Sequence, residues 1–242
     1  MEQSNNKQQA ATDVYKVLGA VPFLNEPTNI DWKEAVKQLP DGCVDLVVTD
    51  PPYGMSYQSN MRAEKHKKIE GDDSLEWVGS WVAELKRLCK PEAHLYIFCS
   101  WHKVEVFKQE LGALFDIKNI LIWDKKGFGM GDLQGDYAPS YEMCIFISNG
   151  SKKLNGGRDS NILRTARTQN ENHPTEKPVN LIQYFIEKSS EKGDVVLDTF
   201  AGSFSTARAA KQSGRNFLCF EIDADYVERG RQLLFGTAPQ LF

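Results

Sequence analysis

A sequence of 242 residues, 41% apolar and 26% charged, is long enough to bury a sizeable core as one large domain or two small ones. A net charge of −4 excludes a protein whose overall field attracts nucleic acid, so any such partner has to be held by local clusters. The polar opening MEQSNNKQQAATD lacks the apolar segment of a signal peptide, and no later run is long enough to span a bilayer, which predicts a cytoplasmic protein with residues 1–13 disordered.

In chain order, strand-like apolar runs fall at 44–49, 94–100, 119–123, 141–148, 195–198 and 216–221, with helical patterns between most of them. That alternation predicts an α/β fold, a mostly parallel sheet with helices on both faces. Between residues 74 and 89, Trp77, Val78, Trp81, Val82, Leu85 and Leu88 keep helical spacing, as Val179, Ile182, Phe185 and Ile186 do later, and both stripes are expected to face the core. A last helix is expected to stop at Gly236, with the terminal GTAPQLF packing against the body or a partner subunit. The five cysteines (Cys43, Cys89, Cys99, Cys144, Cys219) lie in apolar stretches with no CxxC pair and no His at metal spacing, the pattern of reduced core thiols.

Three irregular stretches interrupt this order: 55–73 with the basic cluster KHKK, 127–135 with GFGMGDLQG, and 151–172 with Lys152, Lys153, Arg158, Arg164 and Arg167. Loops of this length are functional or disordered. There is no internal repeat and no clear linker, so residues 1–242 are read as a single domain.

Chemistry concentrates in three places. The strand VDLVVT runs into Asp50-Pro51-Pro52-Tyr53, an acid at the carboxyl end of a sheet where open α/β folds bind ligands; composition alone produces DPPY in about one chain in a thousand of this length. In LDTFAGSFSTARAA a strand ends in Asp198, turns at Gly202 and enters a small-residue helix, the geometry of a nucleotide-type cofactor loop, although a plain βα turn has the same outline. The next strand ends in Glu221, about twenty residues on, the place of an acid that holds ribose hydroxyls. HPTEKP, residues 173–178, stands directly before the helix from Val179 and reads structurally as a helix entry.

Together DPPY, the F-x-G loop and HPTEKP resemble the β-class DNA amino-methyltransferases, which methylate adenine N6 or cytosine N4 with S-adenosylmethionine. The resemblance spans about residues 29 to 234, with the catalytic motif ahead of the cofactor loop. It implies a Rossmann-like class I methyltransferase fold with a seven-stranded, mostly parallel sheet in circularly permuted motif order. It implies Asp50, Pro51, Pro52 and Tyr53 at the catalytic turn, with Asp50 and Pro51 also beside the cofactor. Asp198, Phe200, Gly202 and Ser203 would stand at the methionine end, Glu221 at the ribose and Asp31 at the adenine, although Asp31 also suits a helix N-cap. Thr175 and Lys177 of HPTEKP would hold the amino-acid tail. Two positions depart from the family pattern: Thr199 replaces a Pro and Phe204 replaces a second Gly, so either the ring turns outward or cofactor affinity suffers.

The resemblance further implies direct in-line methyl transfer to a flipped-out base. The Asp50 carboxylate and Pro51 carbonyl would accept the hydrogens of an exocyclic amine whose lone pair is otherwise delocalised, and Tyr53 would stack on the base. DNA would be held through phosphates by Arg62, Lys65, Lys67, Lys68, Lys125, Lys126, Lys152, Lys153, Arg158, Arg164 and Arg167. The interval 149–172, where the family carries target recognition, is too short for a folded domain, which predicts a short recognition insertion or low sequence selectivity, shared with the loop after DPPY. Asp in the first motif position leans toward adenine. Cytosine N4, an RNA or protein-amide substrate, and a non-catalytic nucleic-acid-binding subunit stay open, as do a homodimer and a restriction–modification partner.

Overall fold

The computed structural model describes residues 21–53, 74–127, 134–167 and 176–236. Among these residues one sheet holds eight strands, β1 (Pro27–Asn29), β2 (Val44–Thr49), β3 (Cys89–Cys99), β4 (Asp116–Asp124), β5 (Tyr141–Ser148), β6 (Ile162–Arg164), β7 (Val195–Asp198) and β8 (Asn216–Glu221), in the order β1-β8-β7-β2-β3-β5-β4-β6. Only β5 runs against its neighbours; all other pairs are parallel. All six predicted runs are strands. The sheet has one strand more than the seven implied by the resemblance, because β6 adds to the edge beside β4. With three residues, of which Ile162 and Arg164 are exposed, β6 is too short for an alternation to register in sequence.

The helices are α1 (Trp32–Val36), α2 (Val78–Leu88), α3 (Val104–Leu114), α4 (Val179–Ser189), α5 (Ser205–Gln212) and α6 (Ala224–Phe235). Alternation along the strands sorts them onto two faces. Val44, Val47, Leu95, Ile97, Ile145, Leu197 and Phe220 meet α1, α2 and α3 on one face; Leu46, Val48, Tyr96, Phe98, Cys144, Val196 and Cys219 meet α4, α5 and α6 on the other. Both predicted helical stripes are buried, with Trp81, Leu85, Phe185 and Ile186 at 0–1% exposure. All five cysteines are free and buried. The last helix ends at Gly236, whose φ of +79° no β-branched residue tolerates well, and the residues after it, like 1–13, lie outside the described residues. No described helix is long and apolar enough to cross a membrane.

The position of Phe204 answers the question raised by the cofactor loop. Its backbone is left-handed, φ +58°, yet its ring is fully buried on the α4–α6 face. The ring turns inward and lies against Gly230 of α6, so closely that a β-carbon there would come within 2.3 Å of Phe204 Cδ2. The bulk that replaces a loop glycine is thus housed by a glycine in a neighbouring helix. Gly230→Ala should therefore lower unfolding stability by about 1–3 kcal/mol through overpacking, read from the urea midpoint at constant slope. An unchanged midpoint would contradict this placement of the ring.

Candidate active site

Strand order turns back between β7 and β2: the chain continues outward from β7 to β8 on one side and from β2 to β3 on the other. Ligands in open α/β sheets bind at such a point, beyond the carboxyl ends of the strands. Here the adjacent strands β8, β7 and β2 end in Glu221, in Asp198 and in Thr49 followed by Asp50. Three acids distant in sequence are thereby aligned along one rim.

Asp198 is buried. Its Oδ1 accepts the Thr49 hydroxyl at 2.7 Å and the Phe200 N–H at 3.1 Å, so it fixes the start of the loop rather than facing a ligand directly. Burial raises its carboxyl to about 6, with the donors from Thr49, Thr206 and the Phe200 backbone working the other way. Thr199, where the family pattern has Pro, accepts the buried indole N–H of Trp81 at 3.0 Å, a bond proline has no side-chain oxygen to form. Phe200 stands half-buried among Trp32, Trp77 and Trp81, with ring centroids 5.4–6.3 Å away. The Ser203 hydroxyl meets that of Ser205 at 3.1 Å in the interior.

Glu221 closes the loop from the other side. Its Oε2 accepts the Gly202 N–H at 2.8 Å and its Oε1 the Asp223 N–H at 2.9 Å, while burial raises its carboxyl above the ordinary range. Each oxygen keeps a second lone pair, and Gly202, at φ +49°, lets the backbone turn beneath it. Asp31 caps α1, accepting the Lys33 N–H at 2.8 Å. Its capping role and its place beside the end of β1, next to Glu221, are therefore combined.

At the end of β2, both oxygens of Asp50 are engaged: Oδ1 by the Tyr53 hydroxyl, Oδ2 by the Lys177 ammonium. Pro51 is buried and Pro52 half-buried. Lys177, the resemblance's candidate for a cofactor tail, thus points at Asp50. It also lies 3.1 Å from Oε2 of Glu142, whose Oε1 pairs with Lys125 at 2.7 Å. Burial disfavours the charged form of Asp50 and raises its carboxyl despite Lys177. Burial also opposes charge on Glu142 and Lys177, but attraction outweighs it: Lys177 and Lys125 hold the glutamate anionic, and Asp50 and Glu142 hold the lysine cationic. The neighbouring segment is docked on α5: Arg208 pairs with Glu176 at 3.1 Å and the Ser205 hydroxyl donates to the Lys177 carbonyl at 2.8 Å. Thr175, His173 and Pro174 lie outside the described residues.

Sequence reasoning missed Glu142. The available signal was its parity: in YEMCIFIS it shares a strand face with Cys144 and Phe146, which are buried among α4–α6, so a charge there points inward and needs a partner. The basic residues divide. Lys125 is 13% exposed and held by Glu142 rather than free for phosphate. Lys126, and Arg164 paired with Asp124 at 3.4 Å, sit exposed at the carboxyl rim beyond β4 and β6, with exposed Arg167 three residues past Arg164. The Lys152 carbonyl instead meets the His94 ring at 3.1 Å, level with the start of β2, with Lys153 beside it, well back from the rim. Asn155 and Lys188 bind the stretch around exposed Arg158 to the end of α4. Arg62, Lys65, Lys67 and Lys68 lie outside the described residues.

A family model described as DNA methylase, for N6 and N4 enzymes, matches residues 44–232. The chain belongs to the DNA methylase family. Among its relatives in that family is a protein named DNA adenine methyltransferase YhdJ from Escherichia coli K12, 29% identical over 88% of this chain and 84% of that one. Another is the type II methyltransferase M.HpaI of Haemophilus parainfluenzae, 27% identical over 83% of this chain and 71% of the relative. In fold, this DNA methylase superposes on the M1.HpyAVI–SAM complex with a TM-score of 0.65 at 24% identity, covering 84% of this chain and 96% of the other. The cytosine-N4-specific PvuII DNA methyltransferase gives 0.68 at 17% identity, covering 88% and 86%.

Because folding raises the Asp198 carboxyl from its unfolded 3.8 to about 6, ionising it costs stability as pH rises through that window, and the Thr49 donor offsets part of the cost. Thr49→Val should therefore destabilise more at pH 8, by about 1.5–3 kcal/mol for a bond to a carboxylate, than at pH 5, by about 0.5–1.5 kcal/mol. Denaturant melts at the two pH values measure the gap, and an equal loss at both would contradict it.

Proposed function

We propose that this DNA methylase transfers a methyl group from S-adenosylmethionine to the N6 amine of adenine in DNA. The observation that carries the reading is the alignment of Asp50, Asp198 and Glu221 on three adjacent strand ends at the turning point of the sheet. S-adenosylmethionine supplies an electrophilic methyl group carried on a sulfonium.

The residues present fit such a cofactor. Glu221 has spare lone pairs for ribose hydroxyls while its present bonds hold the Gly202 turn in place. Phe200, backed by Trp32 and Trp77, offers an apolar wall, and Asp31 stands beside the same rim. Asp198 and Ser203 act from beneath, setting the loop's shape. Lys177 and Thr175 serve the cofactor's amino-acid end and the join to the catalytic turn.

On the acceptor side, Asp50 and the Pro51 carbonyl accept the two hydrogens of the adenine amine, drawing the nitrogen toward a tetrahedral form with its lone pair exposed. Pro51 and Pro52 fix the turn that aims both acceptors, and a carboxylate here also stabilises the positive charge developing on nitrogen. The base reaches this turn only when flipped from the duplex, at a cost of about a few kcal/mol, offset in part by stacking on Tyr53 worth about 1–3 kcal/mol. Lys126, Arg164 and Arg167 on the carboxyl rim are the phosphate contacts best placed to hold the duplex.

Adenine is favoured by Asp in the first motif position and by the 29% identical relative named as an adenine enzyme. Cytosine N4 is the second reading, since the same acceptor pair suits that amine. The ground for a non-catalytic subunit was Phe204, and its ring lies in the core against Gly230.

Incubation of the chain with unmethylated DNA and labelled S-adenosylmethionine, followed by digestion and mass spectrometry, should yield N6-methyldeoxyadenosine. Asp50→Ala should reduce transfer at least about a thousandfold, a loss typical of removing a preorganised group at the developing charge, while cofactor binding persists. N4-methyldeoxycytidine would correct the base, and near-normal turnover by Asp50→Ala would overturn its role.

A further inference from the structure

The four charged groups behind the catalytic turn are arranged unevenly. Lys177 faces two carboxylates at once, Asp50 Oδ2 and Glu142 Oε2, from a side chain that is itself 7% exposed. It engages Asp50 in a hydrogen bond, whereas Glu142 Oε2, at 3.1 Å, lies close without hydrogen-bond alignment and is a buried oxygen with no hydrogen-bond partner among the described residues. The other oxygen of Glu142 is anchored by Lys125 at 2.7 Å. Glu142 is therefore fixed in place, ionised, and missing one donor, directly beside a lysine that is occupied elsewhere.

Asp50, for its part, already accepts from the Tyr53 hydroxyl and from Lys177. An amine that is to be gripped by Asp50 has to compete with those donors. Resting on the function proposed above, we infer that Glu142 is a positioning residue, the seat to which the Lys177 ammonium moves when the target amine takes Asp50 Oδ2. No proton changes hands in this shift: the ammonium stays cationic, Glu142 stays anionic, and one hydrogen bond is exchanged for another. The Glu142 oxygen that now meets Lys177 only as an ion contact gains a hydrogen bond, and the Lys125 anchor keeps Glu142 from following the lysine toward Asp50. The groups facing this exchange are Asp50 and Tyr53 from the turn after β2, Cys99 at the end of β3, Lys125 beyond β4, Glu142 and Cys144 on β5, and Lys177 ahead of α4. Both thiols are pushed up by burial and stay neutral, so none of them offers Lys177 a competing charge.

Glu142→Gln removes the charge that draws Lys177 over, at nearly constant size. The expected result is a kcat for DNA methylation lowered about tenfold or more, with S-adenosylmethionine affinity by calorimetry within about twofold of the unaltered chain. Glu142→Asp keeps the charge and should recover part of the lost rate. It also carries the test alone if the Gln variant does not fold, through a kcat between those of the unaltered chain and a fully blocked site with cofactor affinity kept. A kcat within twofold of the unaltered chain in Glu142→Gln overturns the inference. So does an equal loss of rate, stability and cofactor binding in both variants, which would mark Glu142 as a structural counter-ion to Lys125. If the unaltered chain methylates neither adenine nor cytosine, the functional reading fails and this inference falls with it; a deficit confined to the variants bears on Glu142 alone.

Discussion

A single buried hydrogen bond, from the Thr49 hydroxyl to Asp198, joins residues 149 positions apart in the chain, and the site is organised around it. It ties the ends of β2 and β7, the neighbouring strands at which the sheet turns back on itself. Without that adjacency DPPY and the F-x-G loop would be two unrelated turns. With it, Asp50, proposed to face the methyl acceptor, and the loop expected to hold the methyl donor stand side by side. The permuted motif order is therefore of no consequence to the geometry, since parallel strands place their carboxyl ends together whichever comes first in the chain.

Around that bond the molecule stores its polar groups in pairs inside an apolar interior. Thr49 with Asp198, Trp81 with Thr199 and Arg208 with Glu176 each satisfy a group that would be costly alone, and Lys125 and Lys177 balance the charges of Glu142 and Asp50. Such pairing raises the price of error, because removing one member strands the other. It also explains why the two departures from the family pattern are tolerated. Thr199 answers an indole N–H, and Phe204 answers the absence of a side chain at Gly230, so each odd residue has a counterpart elsewhere in the chain.

The sheet, its parallel character and the two buried helix stripes were legible because burial on both faces writes near-continuous apolar runs, as in VDLVVT and FLCFE. The motif acids were legible because each follows such a run. β1 and β6 were not, since three residues carry too little alternation to separate from a loop. Nor was the division of the basic residues, which depends on the antiparallel course of β5: reversing that strand delivers Lys152 to the end of the sheet away from Asp50, while β6 returns Arg164 to the active rim. The inward direction of Phe204 was equally hidden, because Gly230 carries no signal until α6 is seen against α5. Glu142 was readable in principle from strand parity, but its partners come from the residue after β4 and from the segment before α4, which only the assembled sheet brings together.

The central claim is that the acids at the ends of β8 and β2 are two halves of one site, Glu221 serving the methyl donor and Asp50 the acceptor. Calorimetric titration of S-adenosylmethionine into the chain and into Glu221→Gln tests it most directly. Saturable one-site binding to the unaltered chain and affinity about tenfold or more weaker in the variant are expected, with both proteins melting cooperatively. Equal affinity in the two proteins would contradict it.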